Sequence, residues 1–395
     1  MTHWLRKGTS KHYAMATIFL GVSGEGRGHA ARAQVLVDLL KEEHRLVIYA
    51  YGAALDLLKS EQRHRDVEVR PIPGMRFAYN QRGQLAPLRT LAGALPFLTQ
   101  MSGRAVELAR TLEREHADLV ISDFEPLLGR AGNLAGLPVV AIDHQQFLRH
   151  YDLSQLPGPL QKKAAHLTPF VSAYYKKLTA SVISAFFFPQ LKITSRQHPI
   201  VQAGVLLRSE LIGADPQVGD HLVAYLRRDA PPDVLRALSA SQLPIRVYGT
   251  QRTGQFGQLS FHAIERRRFV DDLCTSRALI SSAGNQVIGE ALFLRKPVLC
   301  YPEPGNIEQA INGHFLQASA QGCSAPVECW NAKFIRDFVE KLPTFVDAIR
   351  PERLNGNRIA LGTIRQHLSH PIPIATTNAW RASTARAAEL GSSGS

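Results

Sequence analysis

Apolar residues first gather at ATIFLGVS, Ala16–Ser23, a continuous run of strand-forming residues rather than an alternating one. A glycine-rich turn, GEGRGH (24–29), breaks it. The stretch AARAQVLVDLLKEE (30–43) then places Ala33, Leu36, Val37 and Leu40 at helical spacing. HRLVIYAYG (44–52) returns to an unbroken apolar run, too short for a helix. Unbroken runs are what strands buried on both faces require. Strand, glycine loop, helix, strand is the opening of a doubly wound parallel sheet.

The alternation continues. ADLVISDFE (117–125), LPVVAIDHQ (137–145) and SVISAFFFP (181–189) predict three more strands, the first ending in a carboxylate and the last stopped by Pro189. A second series begins near residue 201, with HLVAYL (221–226), PIRVYG (244–249), ALISSAG (278–284) and KPVLCYP (296–302) as strands. Helical patterns separate them. The fold class is therefore α/β, with two Rossmann-like doubly wound domains, residues 15–200 and 201–345, facing each other across a cleft. Residues 346–370 read as C-terminal helices. Residues 1–14 read as an extension before Met15, and 371–395 as a polar tail ending in a linker-like LGSSGS. In such sheets ligands bind outside the carboxyl ends of the strands, where the glycine and polar motifs fall.

Composition then narrows the class. A length of 395 residues suits two domains of about 150–200 residues each. With 45% hydrophobic and 20% charged residues, wholesale disorder is excluded. No run of 18 uncharged apolar residues offers a membrane-spanning helix, and the first 14 residues lack the apolar core of a signal peptide. Cys274, Cys300, Cys323 and Cys329 have no metal-ligand spacing and read as reduced thiols, so a cytoplasmic location is expected. The net charge of +13 is uneven: residues 1–200 carry 25 Lys/Arg against 16 Asp/Glu, a balance of +9. Such a field favours anionic partners. Residues 144–200 hold seven Lys/Arg against the single acid Asp152, interleaved with Phe147, Phe170, Tyr174 and Tyr175. That pattern suits an anionic membrane surface, and less well a nucleic acid.

The stretch 268–316 carries the most chemistry. Ser282-Ala283-Gly284 closes a strand, Glu290 follows six residues after the glycine, Lys296-Pro297 precedes the next strand, and Glu308-Gln309 leads to Asn312-Gly313. Together with the N-terminal GEGRGHAAR loop, this resembles the donor-binding half of GT-B glycosyltransferases, especially family 28, which includes the enzyme adding N-acetylglucosamine to lipid I. The resemblance covers roughly residues 16–345. It implies a nucleotide-sugar donor, a UDP-sugar by that likeness, as co-substrate without a cofactor or an essential metal. It implies a glycan or lipid-linked acceptor and inversion at the anomeric carbon.

The residues fit those roles chemically. Gly284 and Asn285 open a helix whose free N–H groups suit a diphosphate. Glu290 offers two acceptors to a ribose diol. Glu308 and Gln309 can hydrogen-bond sugar hydroxyls. The resemblance also expects a second glycine loop, but that position reads VAYLRRDAPP (223–232), so Arg208 or Arg227 is expected to supply charge instead. On the acceptor side Gly24, Gly26 and Gly28 permit close backbone approach. His29 is the expected general base with Asp123, 94 residues on, as its partner, a separation that resembles the dyad of family 1 glycosyltransferases. Asp143 with His144 is a rival pair, and Glu25 a rival base. GEGRGH does not fit the dinucleotide pattern, and no acidic residue closes the second strand, so NAD is not expected. Two other functions stay open: a UDP-sugar 2-epimerase of the same fold, and a nucleic-acid modifier using the basic half.

Overall fold

The computed structural model describes residues 15–24, 27–61, 65–75, 87–192, 198–227 and 230–369. They form two parallel sheets flanked by helices. The first contains β1 (Thr17–Val22), β2 (Arg45–Ala50), β3 (Glu68–Pro71), β4 (Leu119–Asp123), β5 (Val139–Asp143), β6 (Ala180–Ser184) and β7 (Ile200–Ala203), in the order β3-β2-β1-β4-β5-β6-β7. The second contains β8 (Leu222–Tyr225), β9 (Ile245–Tyr248), β10 (Gly254–Phe256), β11 (Leu259–His262), β12 (Leu279–Ser281), β13 (Val298–Cys300) and β14 (Gly322–Ser324), ordered β10-β11-β9-β8-β12-β13-β14. Only β10 runs antiparallel to its neighbour. Both sheets reverse strand order beside their first strand, at β1/β4 and at β8/β12. Crevices for ligands open at such switch points.

The unbroken apolar runs are explained by burial. Ile18, Phe19, Val47, Ile48, Val120, Ile121, Val140 and Ile142 are all buried, because helices cover both faces. Each contributes about 1.5–3 kcal/mol by leaving water. Weaker signals mark the strands the pattern did not reveal. β3 is a polar edge, and β10 and β14 have three residues each. The run SVISAFFFP is a strand only over Ala180–Ser184; Phe187 instead stacks on Phe315 of the second domain at 4.2 Å.

Two chain crossings join the domains, and they shift the expected boundaries. β7 keeps the first sheet going to Ala203. The helix Asn357–Ser369, expected among separate C-terminal helices, returns to the first sheet and buries Ala360 and Ile364 in its core. The crossings lie against each other: the Gly356 N–H donates to the Val205 carbonyl at 3.0 Å. The Asn357 amide accepts from the Leu207 N–H at 2.9 Å and donates to the Leu207 carbonyl at 2.7 Å. A β-carbon on Gly204 would stand 2.3 Å from the Leu354 carbonyl, so only glycine permits this approach.

Candidate functional site

The helix Arg27–Leu40 leaves the glycine loop that follows β1. β1 pairs with β4 so that Val22 stands beside Asp123, which places that carboxylate next to the helix's first turn. His29 and Arg32, three apart on one helical face, both reach it. His29 Nδ1 lies 2.7 Å from Asp123 Oδ1. Arg32 grips the same carboxylate through Nε to Oδ2 at 3.0 Å and Nη2 to Oδ1 at 2.7 Å. All three side chains are buried. Burial pushes the Asp123 carboxyl upward, but the charge of Arg32 and the hydrogen bonds from His29 and Arg32 outweigh it and hold its pKa below the usual range. Arg32 Nη2 also approaches His29 Nδ1, at 3.0 Å. In the neutral ring, a proton on Nδ1 serves the charged carboxylate and leaves the lone pair on Nε2. Among the described residues Nε2 has no hydrogen-bond partner.

The predicted dyad is therefore brought together, with a third member the sequence reading did not select. Arg32 closes the GEGRGHAAR stretch, and the signal that could have found it is its place three residues after His29.

The rival pair is not assembled. Asp143 accepts from the Tyr175 hydroxyl at 2.5 Å and from the Gln146 N–H at 2.9 Å, and makes no contact with the His144 ring. Burial raises its pKa to about 6. His144 turns toward the second domain instead, with Nδ1 at 3.2 Å from the Ser184 carbonyl and Nε2 at 3.0 Å from Asn312 Oδ1. Around the dyad the rings of His29, Phe124 and Tyr174 lie nearly parallel, with Phe124 and Tyr174 stacked at 4.2 Å. Phe124 takes a φ of 51°, a conformation costly for a bulky residue, and the Tyr175 hydroxyl accepts its N–H.

In the second domain the same backbone device recurs. Ala283 has a φ of 61°, directly before the helix cap Gly284, as Phe124 stands directly before the helix cap Glu125. The left-handed residue is thus the alanine. Gly284 has an ordinary φ of −70° and caps the helix Asn285–Phe293. A β-carbon on Gly284 would meet nothing closer than 3.8 Å, so there is space beside the cap residue itself. Ser282 precedes this turn and is nearly buried. Asn285 ties the turn to the first domain: Nδ2 donates to the Ser184 carbonyl at 3.0 Å, and Oδ1 accepts from the Phe186 N–H at 3.3 Å.

Glu290 and Arg208 meet in a bidentate pair, with Nη2 at 2.9 Å from both carboxylate oxygens. The Gln286 amide adds a bond to Oε1 at 3.0 Å. Glu290 is 1% exposed. Arg208 therefore does not stand as a spare cation for a diphosphate, and the carboxylate is not open to a diol as expected. Across the cleft, Arg27 lies near the Tyr225 hydroxyl at the end of β8 and its charge acts on that group. Arg227, the other expected cation, pairs with Glu303 at 2.8 Å.

Glu308 begins the helix Ile307–Ala318 and accepts from the Gln145 amide of the first domain at 3.1 Å. Gln309 is turned inward; its Oε1 accepts from the Glu303 N–H at 2.7 Å and pins the preceding loop. Gly24 lies against Tyr51, whose carbonyl would be 2.4 Å from an added β-carbon, so it serves packing rather than the cleft. Gly28 does face the second domain: its β-carbon would stand 3.9 Å from that of Gln286. Glu25 and Gly26 lie outside the described residues. Of the basic residues in 144–200, Lys162, Lys163, Lys176 and Lys177 are exposed. Lys192 turns onto the carbonyls of Leu148 and Arg149, and Arg149 lies over the Tyr175 ring, while Arg196 is outside the described residues.

Known proteins carry the same architecture. CalG4, the calicheamicin glycosyltransferase, superposes with a TM-score of 0.63 at 15% identity, covering 91% of this chain and 100% of that one. MurG of Acinetobacter baumannii superposes with a TM-score of 0.55 at 13% identity, covering 89% and 99%. A protein of Methanosarcina acetivorans described as an uncharacterized glycosyltransferase is 23% identical over 386 residues, covering 90% of this chain and 98% of its own. The model of glycosyl transferase family 1 matches residues 16–343. Two Rossmann-like domains meeting at paired switch points, and that match across both, place the chain in glycosyl transferase family 1, as a GT-B nucleotide-sugar glycosyltransferase.

Proposed function

We propose that this enzyme transfers a sugar from a UDP-sugar to an acceptor hydroxyl with inversion. The observation that carries the reading is the His29–Asp123–Arg32 cluster, in which His29 Nε2 has no partner among the described residues, at the switch point of the acceptor-side sheet. Nε2 takes the hydroxyl proton as that oxygen attacks the anomeric carbon. The bond from that carbon to the diphosphate oxygen breaks, and its electron pair leaves with the diphosphate. One displacement inverts the centre. Asp123 stabilises the imidazolium that forms. The N–H groups opening the helix Asn285–Phe293, with Arg27, suit the departing charge. Glu290 takes the ribose diol in exchange for its pairing with Arg208, and Glu308 takes the sugar hydroxyls.

A lipid-linked or cell-envelope glycan acceptor at the inner face of the cytoplasmic membrane is the finer reading. Exposed Lys162, Lys163, Lys176 and Lys177 with Phe170, 39% exposed, support it, since anionic lipid attracts lysines and the ring can enter the headgroup layer. No helix among the described residues is long and apolar enough to cross a membrane. Flotation with vesicles containing anionic lipid should carry the protein upward, and neutral vesicles should not. Failure with both ends the membrane reading.

Calorimetry with UDP, GDP, dTDP and ADP tests the donor site. One nucleotide is expected to bind, and Glu290→Ala to lose it. Consumption of the matching UDP-sugar without any acceptor would instead favour an epimerase. Binding of none, with salt-dependent nucleic-acid binding, would overturn the transferase chemistry proposed for this cleft.

A further inference from the structure

His144 lies between the domains with an acceptor on each ring nitrogen. Nδ1 faces the Ser184 carbonyl at 3.2 Å. Nε2 faces Asn312 Oδ1 at 3.0 Å. The Asn312 amide cannot be turned to help, because its Nδ2 donates at 2.9 Å to the Ala283 carbonyl, which only accepts. A neutral imidazole has one N–H and can serve one of these partners. The other nitrogen then presents a lone pair to an oxygen lone pair in a site where the ring is 1% exposed. Only the imidazolium donates to both.

We propose that His144 is the positioning residue that seats the helix Ile307–Ala318 on the acceptor-side domain, and that it does so only while both ring nitrogens carry protons. This rests on the reading of that helix, through Glu308, as the one facing the transferred sugar. The Ser184 bond stays within the first domain, whereas the Asn312 bond crosses to the second. Loss of one proton therefore costs the crossing bond or sets it against the intradomain one.

The charged groups around the ring set the direction. Glu308 of the helix Ile307–Ala318 lies 3.9 Å from Nε2 and favours the charged form. Arg32 of the helix Arg27–Leu40 disfavours it. Asp143, next in β5, is a buried carboxyl bonded to Tyr175. The rings of Phe147 and Phe187 fill the remaining space. Burial is the largest influence and lowers the His144 pKa below its usual value. The ring thus donates to both partners only at acidic pH, and as pH rises through the folded pKa the two acceptors compete for the one proton that remains. Above that point the charged fraction falls about tenfold for each pH unit.

The test needs no sugar donor, so its failure is separate from failure of the transferase reading. Spin labels at Lys59→Cys and Arg267→Cys, both exposed and on opposite domains, report the interdomain distance in a Cys323→Ser, Cys329→Ser background. Between pH 8 and pH 5 a shorter, narrower distance distribution should grow in. With His144→Gln, whose amide cannot titrate, the distribution should not respond to pH. Ring-nitrogen NMR of the protein with His144 in place should show both N–H groups at the acidic end, assigned by their loss in His144→Gln. An unchanged distance while the ring titrates, a pH response retained by His144→Gln, or a ring that never gains the second proton would each overturn the proposal.

Discussion

Replacing Arg32 by methionine tests the cluster most directly. Methionine keeps much of the side-chain length and removes the charge. In the intact protein Asp123 is wholly buried and accepts three bonds, two from Arg32 at 3.0 and 2.7 Å and one from His29 at 2.7 Å. The variant leaves that carboxylate with one partner. Breaking a buried pair by removing one member costs about 3–5 kcal/mol, because the remaining charge stays desolvated. Asp123→Asn should cost a similar amount, by stranding Arg32. The double variant removes both charges and should recover at least about 2 kcal/mol relative to the summed single losses. The pH dependence adds a sign. With Arg32 present the Asp123 pKa is depressed, so its contribution is full above the unfolded carboxylate pKa and is lost only as pH falls through the folded one. Without Arg32, burial dominates and reverses that shift, so the deficit of Arg32→Met should shrink toward acid. Urea unfolding gives the free energies, and hydrogen exchange at β1 and β4 isolates the first domain. A loss below about 1 kcal/mol at pH 7.5, or strict additivity in the double variant, would refute the paired-charge account.

His29→Ala should lower transfer by about 10²- to 10⁴-fold with the fold retained, measured as nucleotide release once a donor is found; near-normal turnover removes it from the mechanism. Glu125 is buried, accepts from the Leu127 and Leu128 N–H groups, and is pushed by burial up to about 7. A raised carboxyl binds a proton more readily in the folded state, so stability should fall as pH rises from about 4.5 to about 7. Glu125→Gln should remove that share in a pH series of urea midpoints, leaving the smaller slope of Asp143. Gly204→Ala drives a β-carbon to 2.3 Å from backbone atoms of Leu354. It should cost at least about 3 kcal/mol and loosen the helix Asn357–Ser369, seen as faster amide exchange there.

What the sequence disclosed follows from how each element is buried. β1, β2, β4, β5 and β6 were legible because both faces are covered, which leaves apolar runs with no competing pattern. β3 was hidden because EVRP lies at an edge and stays partly wet. The return of the final helix to the first sheet was hidden for another reason. Ala360 and Ile364 give it an ordinary amphipathic face, and periodicity does not say which sheet that face will cover.

The site divides along similar lines. His29 and Asp123 were legible because each ends a strand or follows the glycine loop, and doubly wound topology alone brings such positions together. Partners within the site were not, since pairing depends on side-chain reach. Arg208 and Glu290 were both selected, but as separate ligands for phosphate and ribose. Their mutual pairing at 2.9 Å changes how a donor would enter. The buried carboxylate and its half-buried cation cannot be parted without leaving the carboxylate unpaired and desolvated. On the proposed reading, a nucleoside diphosphate offers both replacements at once: its phosphate oxygens can take the guanidinium while its ribose diol takes the carboxylate. A ligand carrying one of these groups leaves a charge stranded. On that reading the pair is a filter for ligands that hold diol and phosphate together, a selectivity the two residues would lack if each stood open to solvent.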